Sequence, residues 1–330
     1  MNSIIPNGNA KCELLSKQHV TDEYILQCVV NNHEQVKLAL VISNNDIMLL
    51  DSVSNAAPTC LKGHQKTITD IKFSHEDPHM LFSSSLDGRI FIWDTRSKND
   101  PVQTFYDDTD TILKPLSCFD FNLNENYVCA GTELVREDAF LIFWDRRTSK
   151  NLGGYWNCHF DDITQVQFHP THNTGMASSS VDGLINVFDL MGCSEEDALL
   201  STLNIGSSVI RFSWCKENLC CTTGNEEFQL WSVNEPSPYL SATRDELSQL
   251  SQYKADYLID SFMVENSLYV ASGSNQGVVY LYSAETKKLQ LSCELQNGHS
   301  DVVRSIFYSE KGKFIATGGE DGVVSLWSHF

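Results

Sequence analysis

The sequence predicts an all-β fold, a seven-bladed β-propeller built from four-stranded antiparallel blades. Three observations predict it. A short apolar strand ending in a large residue and then Asp or Ser recurs seven times, at 47–51, 90–94, 141–145, 185–189, 228–232, 279–283 and 325–328. A Gly-His pair or its remnant stands before the first strand of several repeats, at Gly63-His64, Cys158-His159 and Gly298-His299. A tight turn precedes the recurring strand at Asp87-Gly88, Asp182-Gly183 and Asp321-Gly322, where glycine supplies the positive φ of a two-residue hairpin.

The large residues are the anchors: Leu50, Trp93, Trp144, Phe188, Trp231, Tyr282 and Trp327. Their spacings are 43, 51, 44, 43, 51 and 45 residues, and a four-stranded blade takes roughly 40–45. Seven anchors give seven blades, and 1–330 is read as one domain. The two long spacings carry insertions, a charged one at 132–139 and a second at 234–257. In the second, 243–253 has helix-forming residues behind a Thr, so a short helix on the rim is expected. After Trp327 too little chain remains for an outer strand in the last blade. The stretch 11–19, with Cys12, Leu14 and Ser16 alternating, is expected to fill that place and close the ring, with 1–10 as a flexible tail.

Composition narrows the function. Hydrophobic residues make up 42% of 330, enough for a large core. Acidic residues outnumber basic ones 43 to 23, a formal charge of −20 that repels a phosphate backbone. The longest basic groupings are Arg146-Arg147 and Lys287-Lys288, too little for a nucleic-acid footprint. That acidity favours basic protein partners instead. No run approaches the roughly 20 apolar residues of a membrane span, and the start lacks a signal core. The eleven cysteines read as reduced thiols, which places the chain in the cytoplasm or nucleus. A monomer is expected, without cofactor or metal: Cys215, Cys220 and Cys221 lack zinc spacing, Asp107, Asp108 and Asp110 lack the rest of a calcium loop, and no phosphate-binding glycine motif occurs.

His64, Ser83 and Asp87 look like a hydrolase triad, and Trp93 stands with them. The set returns as His159, Ser178, Asp182 and Phe188, and again as His299, Thr317, Asp321 and Trp327. A nucleophile is needed once, so a group repeated blade by blade points to a structural task. Phe188 lacks the indole donor, which leaves its blade one hydrogen bond short.

These markers together resemble the WD-repeat family over nearly the whole chain. A subset of stretches (128–133, 161–170, 182–189, 196–199 and 318–321) is similar to one subfamily of it. The resemblance implies that the four-residue sets are the family's structural tetrads, and that partners dock on the face carrying the loop before the first strand and the turn before the anchor strand. Matching positions are Thr67, Thr69 and Leu86; Asp162, Thr164 and Val181; Arg304 and Glu320. Aligning the less regular blades by their strands adds Pro115, Ser117, Tyr257 and Ile259. Such a rim suits a peptide better than a phosphate.

The leading reading is therefore a non-catalytic scaffold or adaptor for other proteins or peptides. One alternative is a propeller enzyme with a small molecule in its central channel. It needs converging titratable groups on the innermost strands, and 68–73, 166–168 and 306–308 read as apolar packing. Another is a substrate receptor of a cullin-4 type ubiquitin ligase. Residues 81–96 resemble the box of such receptors, its closing group recurs at 144–147, and Arg96 and Arg147 would be the adaptor contacts.

Overall fold

A computed structural model of the chain describes residues 12–31, 33, 36–51, 57–97, 100–251, 254–285 and 288–328. Seven four-stranded sheets, antiparallel throughout, follow one another along the chain. The innermost strands are Ile25–Val30, Ile68–Phe73, Leu116–Phe121, Ile163–Phe168, Val209–Cys215, Tyr257–Val264 and Val303–Ser309. The anchor strands are Ile47–Asp51, Arg89–Asp94, Leu141–Asp145, Leu184–Asp189, Glu227–Ser232, Val279–Glu285 and Val323–Ser328.

Anchor strands are apolar on both sides because each blade packs face to face on two neighbours. The core accordingly lies between blades. Trp93 and Phe91 of the second blade are buried with Ala39, Val41 and Leu49 of the first. Trp93, Trp144 and Trp327 are almost wholly buried, and removing about 200 Å² of each from water contributes roughly 5 kcal/mol gross. The innermost strand Ile68–Phe73 mixes buried and half-buried residues, and each innermost strand carries one register shift near its start, as between Ile68 and Asp70. That bulge adds twist at the inner edge.

The ring closes as the sequence predicts. Leu14–His19 pairs antiparallel with Val323–Ser328, with Leu14 opposite Trp327 and His19 opposite Val323. Ser328 N donates to Glu13 O at 2.8 Å and Val20 N to Gly322 O at 2.9 Å, which fixes both ends of the seam. All six residues of this strand are exposed, as befits an outer position. The expected tail at 1–10 lies outside the described residues.

Every turn before an anchor strand holds a left-handed residue: Asn45, Gly88, Arg136, Gly183, Glu226, Gly277 and Gly322. The insertion at 132–139 folds as a tight turn, with Val135 bridging Asp138. Residues 234–257 contain the outer strand Leu240–Thr243 and then the helix Arg244–Leu250. Thr243 and Glu246 form a capping box at its start. Leu247 is buried with Phe228 and Tyr280 on the seam between blades five and six, whereas Leu250 is exposed. No helix among the described residues is long and apolar enough to cross a membrane.

Candidate functional site

The tetrads assemble as the repeat implies. His64 Nδ1 lies 2.9 Å from Asp87 Oδ2 and Nε2 lies 2.7 Å from Ser83 Oγ, which also accepts from Trp93 Nε1 at 2.8 Å. The Asp87 carboxylate can only accept, so the ring proton sits on Nδ1 and Ser83 gives its own proton to Nε2. This is the bond order of a hydrolase triad, yet Ser83 and the His64 side chain are fully buried. Blade seven repeats it: His299 meets Asp321 at 3.1 Å and Thr317 at 2.8 Å, and Trp327 Nε1 donates to Thr317 Oγ1 at 2.9 Å. In blade four His159 meets Asp182 at 3.0 Å and Ser178 at 2.7 Å, with Phe188 giving no donor.

The Gly-His pair has a steric reason. A Cβ on Gly63 would sit 2.8 Å from Trp93 Cη2, and one on Gly298 2.1 Å from Trp327 Cζ2. Blade four has Cys158 at that place and the smaller Phe188 as its anchor, so the loop side chain and the indole trade space. Burial pushes the Asp87, Asp182 and Asp321 carboxyls up, but hydrogen bonds from the paired histidine and backbone N–H groups outweigh it and hold all three below the usual carboxylate range. Blades three, five and six satisfy their anchors otherwise. Trp144 Nε1 donates to Tyr106 O at 3.0 Å, Trp231 Nε1 to Gln229 Oε1 at 2.8 Å, and Tyr282 accepts from Ser272 Oγ at 3.4 Å.

On the loop face, one backbone hydrogen bond recurs in six blades and holds the rim: Ser43 N to Tyr24 O, Leu86 N to Thr67 O, Glu133 N to Pro115 O, Val181 N to Asp162 O, Gly224 N to Ser208 O and Glu320 N to Val302 O. Thr67 and Arg304 are exposed, and Leu86, Pro115 and Asp162 half-buried. Several expected contact groups are committed elsewhere. Thr69 Oγ1 reaches Ser84 Oγ and Leu116 O, both at 2.9 Å; Ser117 Oγ donates to Ile163 O; Thr164 Oγ1 meets Ser179 Oγ at 2.8 Å. Arg304 Nε donates to Glu320 Oε1 at 2.6 Å.

Two expectations for this rim are corrected. Ile259 occupies the aligned position but is only 7% exposed, because its side chain packs in the core between blades six and seven. Tyr257, expected among the contact positions, is half-buried and turned to the neighbouring blade. Its ring lies over Gly273, its hydroxyl accepts Val303 N at 2.7 Å, and burial pushes its phenol up to about 12.

Strand alignment also places Tyr24 and Ile210 on this rim, both half exposed, which the Gly-His and Asp-Gly markers could not reveal. A larger apolar group stands at blades three and four. Leu134 N donates to Asp162 Oδ1 at 2.6 Å, Val181 N to Asp162 O at 3.0 Å, and Phe160 N to Asp182 Oδ2 at 3.0 Å. These bonds gather Leu134, Phe160 and Val181 around Asp161 and Asp162, with Phe160 77% exposed.

The central cavity, about 670 Å³, corrects the apolar reading of the innermost strands. Ile71, Phe73, Val166 and Phe168 do pack between blades, but the alternating positions bring Asp70, Lys72, Asp120, Arg211 and Asp260 to the cavity wall. A side-chain belt links consecutive blades: Gln27 Nε2 to Asp70 Oδ1 at 2.7 Å, Lys72 Nζ to Asp120 Oδ1 at 2.9 Å, Phe168 N to Asp120 Oδ2 at 2.7 Å, and Phe212 N to Gln165 Oε1 at 2.8 Å. Burial pushes the Asp70 and Asp260 carboxyls up, against Lys72 and Gln27 at the first and Arg211 at the second.

On the opposite face Arg96 grips its own Asp94, with Nη2 2.7 Å from Oδ2, while Arg147 is exposed. His169, His172 and Glu217 place their ligand atoms within 4.8 Å of one another. However, His169 Nδ1 accepts Thr171 N at 3.2 Å and His172 N at 3.1 Å. The ring proton then sits on Nε2, 3.7 Å from Glu217 Oε2, where a metal would need a lone pair.

Seven blades, buried His–hydroxyl–Asp groups and tryptophan anchors define a class of repeat propeller that typically holds other proteins and does no chemistry. The chain belongs to the WD-repeat family. The family model of the WD domain, G-beta repeat, matches residues 57–94, 150–189 and 290–328. Among similar proteins, the WD repeat-containing protein GTS1 of Arabidopsis thaliana is 31% identical over 326 residues, covering 92% of this chain and 81% of that one. The subfamily likeness in the sequence is to WD repeat-containing protein 89, and its homolog in Dictyostelium discoideum is 25% identical over 300 residues, 88% of this chain and 80% of that one. An uncharacterized WD repeat-containing protein of Saccharomyces cerevisiae is 26% identical over 302 residues, 87% and 75% of the two chains.

Proposed function

We propose that this chain is a scaffold that holds a partner protein on its loop face, chiefly at blades three and four. The observation that carries the reading is the cluster of Leu134, Phe160 and Val181, exposed apolar side chains fixed by hydrogen bonds between an insertion and a neighbouring blade. A rigid rim pays little entropy on binding, and exposed aromatic anchors of this kind are where interfaces concentrate their energy. Glu133 and Asp161 are chain neighbours of Leu134 and Phe160, Asp162 accepts from Leu134 N and Val181 N, and the chain carries −20, so the partner segment is basic with an apolar anchor. All eleven cysteines are free and nine are buried, which fits the cytoplasm or nucleus. The test is affinity purification with mass spectrometry from cells expressing wild type or the Leu134→Ser, Phe160→Ser, Val181→Ser triple variant. A partner recovered by wild type and lost by a triple variant of unchanged Tm supports the reading. Equal recovery of every partner overturns it.

A further inference from the structure

We propose that Cys12 and Cys293 are an oxidation site, at which hydrogen peroxide forms a reversible disulfide tying the closing strand to the sixth blade. The two sulfurs lie 2.8 Å apart although the residues are 281 positions apart in sequence. Cys12 stands two residues before the strand Leu14–His19, and Cys293 lies in the outer strand Lys288–Leu295 of blade six. Both are largely buried, at 7% and 4% exposed, among Leu281, Val303 and Trp327. The bonded distance of about 2.05 Å is reached by a movement of less than about an ångström.

The position gives the bond its consequence. The closing strand is exposed along its whole length and holds the ring mainly through its pairing with Val323–Ser328. A cross-link here ties the segment before the closing strand to blade six across 281 positions, the widest separation of any two cysteines in the sequence. Cys215 and Cys220 are also near, at 3.0 Å, but sit five residues apart on one hairpin, where a bond would constrain little.

The chemistry follows from the pair. Cys293 donates its S–H to the Cys12 sulfur, and that bond outweighs burial to hold the Cys12 thiol below its usual range. Cys12 is therefore the attacking sulfur and Cys293 the resolving one. The Cys12 thiolate takes one oxygen from hydrogen peroxide, giving a sulfenic acid and, with a proton, water. The Cys293 sulfur then attacks the sulfenic sulfur, its proton leaves with the hydroxyl, and a second water departs. Two thiols and one peroxide become one disulfide and two waters, and a dithiol reductant reverses the exchange.

The test uses the full chain, treated with hydrogen peroxide or with dithiothreitol, mapped by non-reducing peptide mass spectrometry and melted under both conditions. The expected result is a Cys12–Cys293 linked peptide and a rise in Tm of about 5 °C or more, reversed by dithiothreitol. Cys12→Ala and Cys293→Ala should each abolish the rise. The proposal is overturned if exposed Cys193 is oxidised while no Cys12–Cys293 peptide forms, or if the rise persists in Cys12→Ala. The peptide map needs only wild-type protein, so it decides the matter even if a variant folds poorly.

Discussion

Replacing His64 by Ala tests whether the tetrad is a structural device. The side chain is fully buried, stacks on Phe91 at 4.3 Å, and makes two hydrogen bonds, to Asp87 and Ser83. Its removal does not strand the partners entirely. Asp87 keeps Gln65 N at 3.0 Å and Arg89 N at 3.1 Å, and Ser83 keeps the Trp93 indole. The loss is two buried hydrogen bonds and a ring-sized void, together about 2–4 kcal/mol. With an unfolding entropy of about 2.1 cal/mol/K per residue, this chain should melt about 3–6 °C lower. Calorimetry at neutral pH measures it, with exposed Thr67→Ala as a control that should move Tm by less than about 1 °C. A second signature is pH. The folded carboxyl titrates below its unfolded value, so its stabilisation is complete above about pH 4 and drains away as pH falls through the folded pKa. The gap between wild type and variant should narrow in acid. A His64→Ala protein that melts within a degree of wild type would refute the structural assignment.

Deleting residues 1–19 removes the outer strand of blade seven and opens a sheet edge, so the product should be insoluble or melt far below wild type; a soluble truncation with unchanged melting contradicts closure by this strand. Asp260→Asn should raise Tm at pH 7, because burial raises this carboxyl's folded pKa and keeping it ionised costs stability. That gain should be present above the raised folded pKa and vanish by about pH 4, and a loss of stability at pH 7 would contradict the burial argument. Arg96→Ala breaks only an exposed ion pair with Asp94 and should shift Tm by less than about 1 °C.

Much of the fold was legible because blades bury both faces of one strand. The anchors Trp93, Trp144, Trp231 and Trp327 stand out in any window of this sequence. The turn glycines were legible only in part. Gly88, Gly183 and Gly322 follow an Asp, but Asn45, Arg136 and Glu226 adopt the same left-handed backbone without a glycine to announce it. Tetrad residues could be paired across about 20 positions because three copies repeat the spacing. The cavity charges are hard to see in the sequence because the apolar half of each inner strand dominates its pattern; Asp70 and Lys72 sit between Ile68, Ile71 and Phe73. Ile259 and Thr69 both sit at the register shift of their strands, yet whether such a side chain turns to the core depends on the neighbouring blade. The Leu134, Phe160 and Val181 cluster depends on a hydrogen bond between residues 28 apart, which no local pattern encodes.

The central claim is that a partner sits on the loop face at blades three and four. Site-specific photocrosslinking tests it most directly, with p-benzoylphenylalanine placed in turn at positions 160 and 134 and, on the opposite face, at Arg147. The same partner should crosslink from 160 and 134, joined through a segment rich in Lys or Arg, and none from 147. A partner captured from 147 alone, or equally from all three positions, would contradict it.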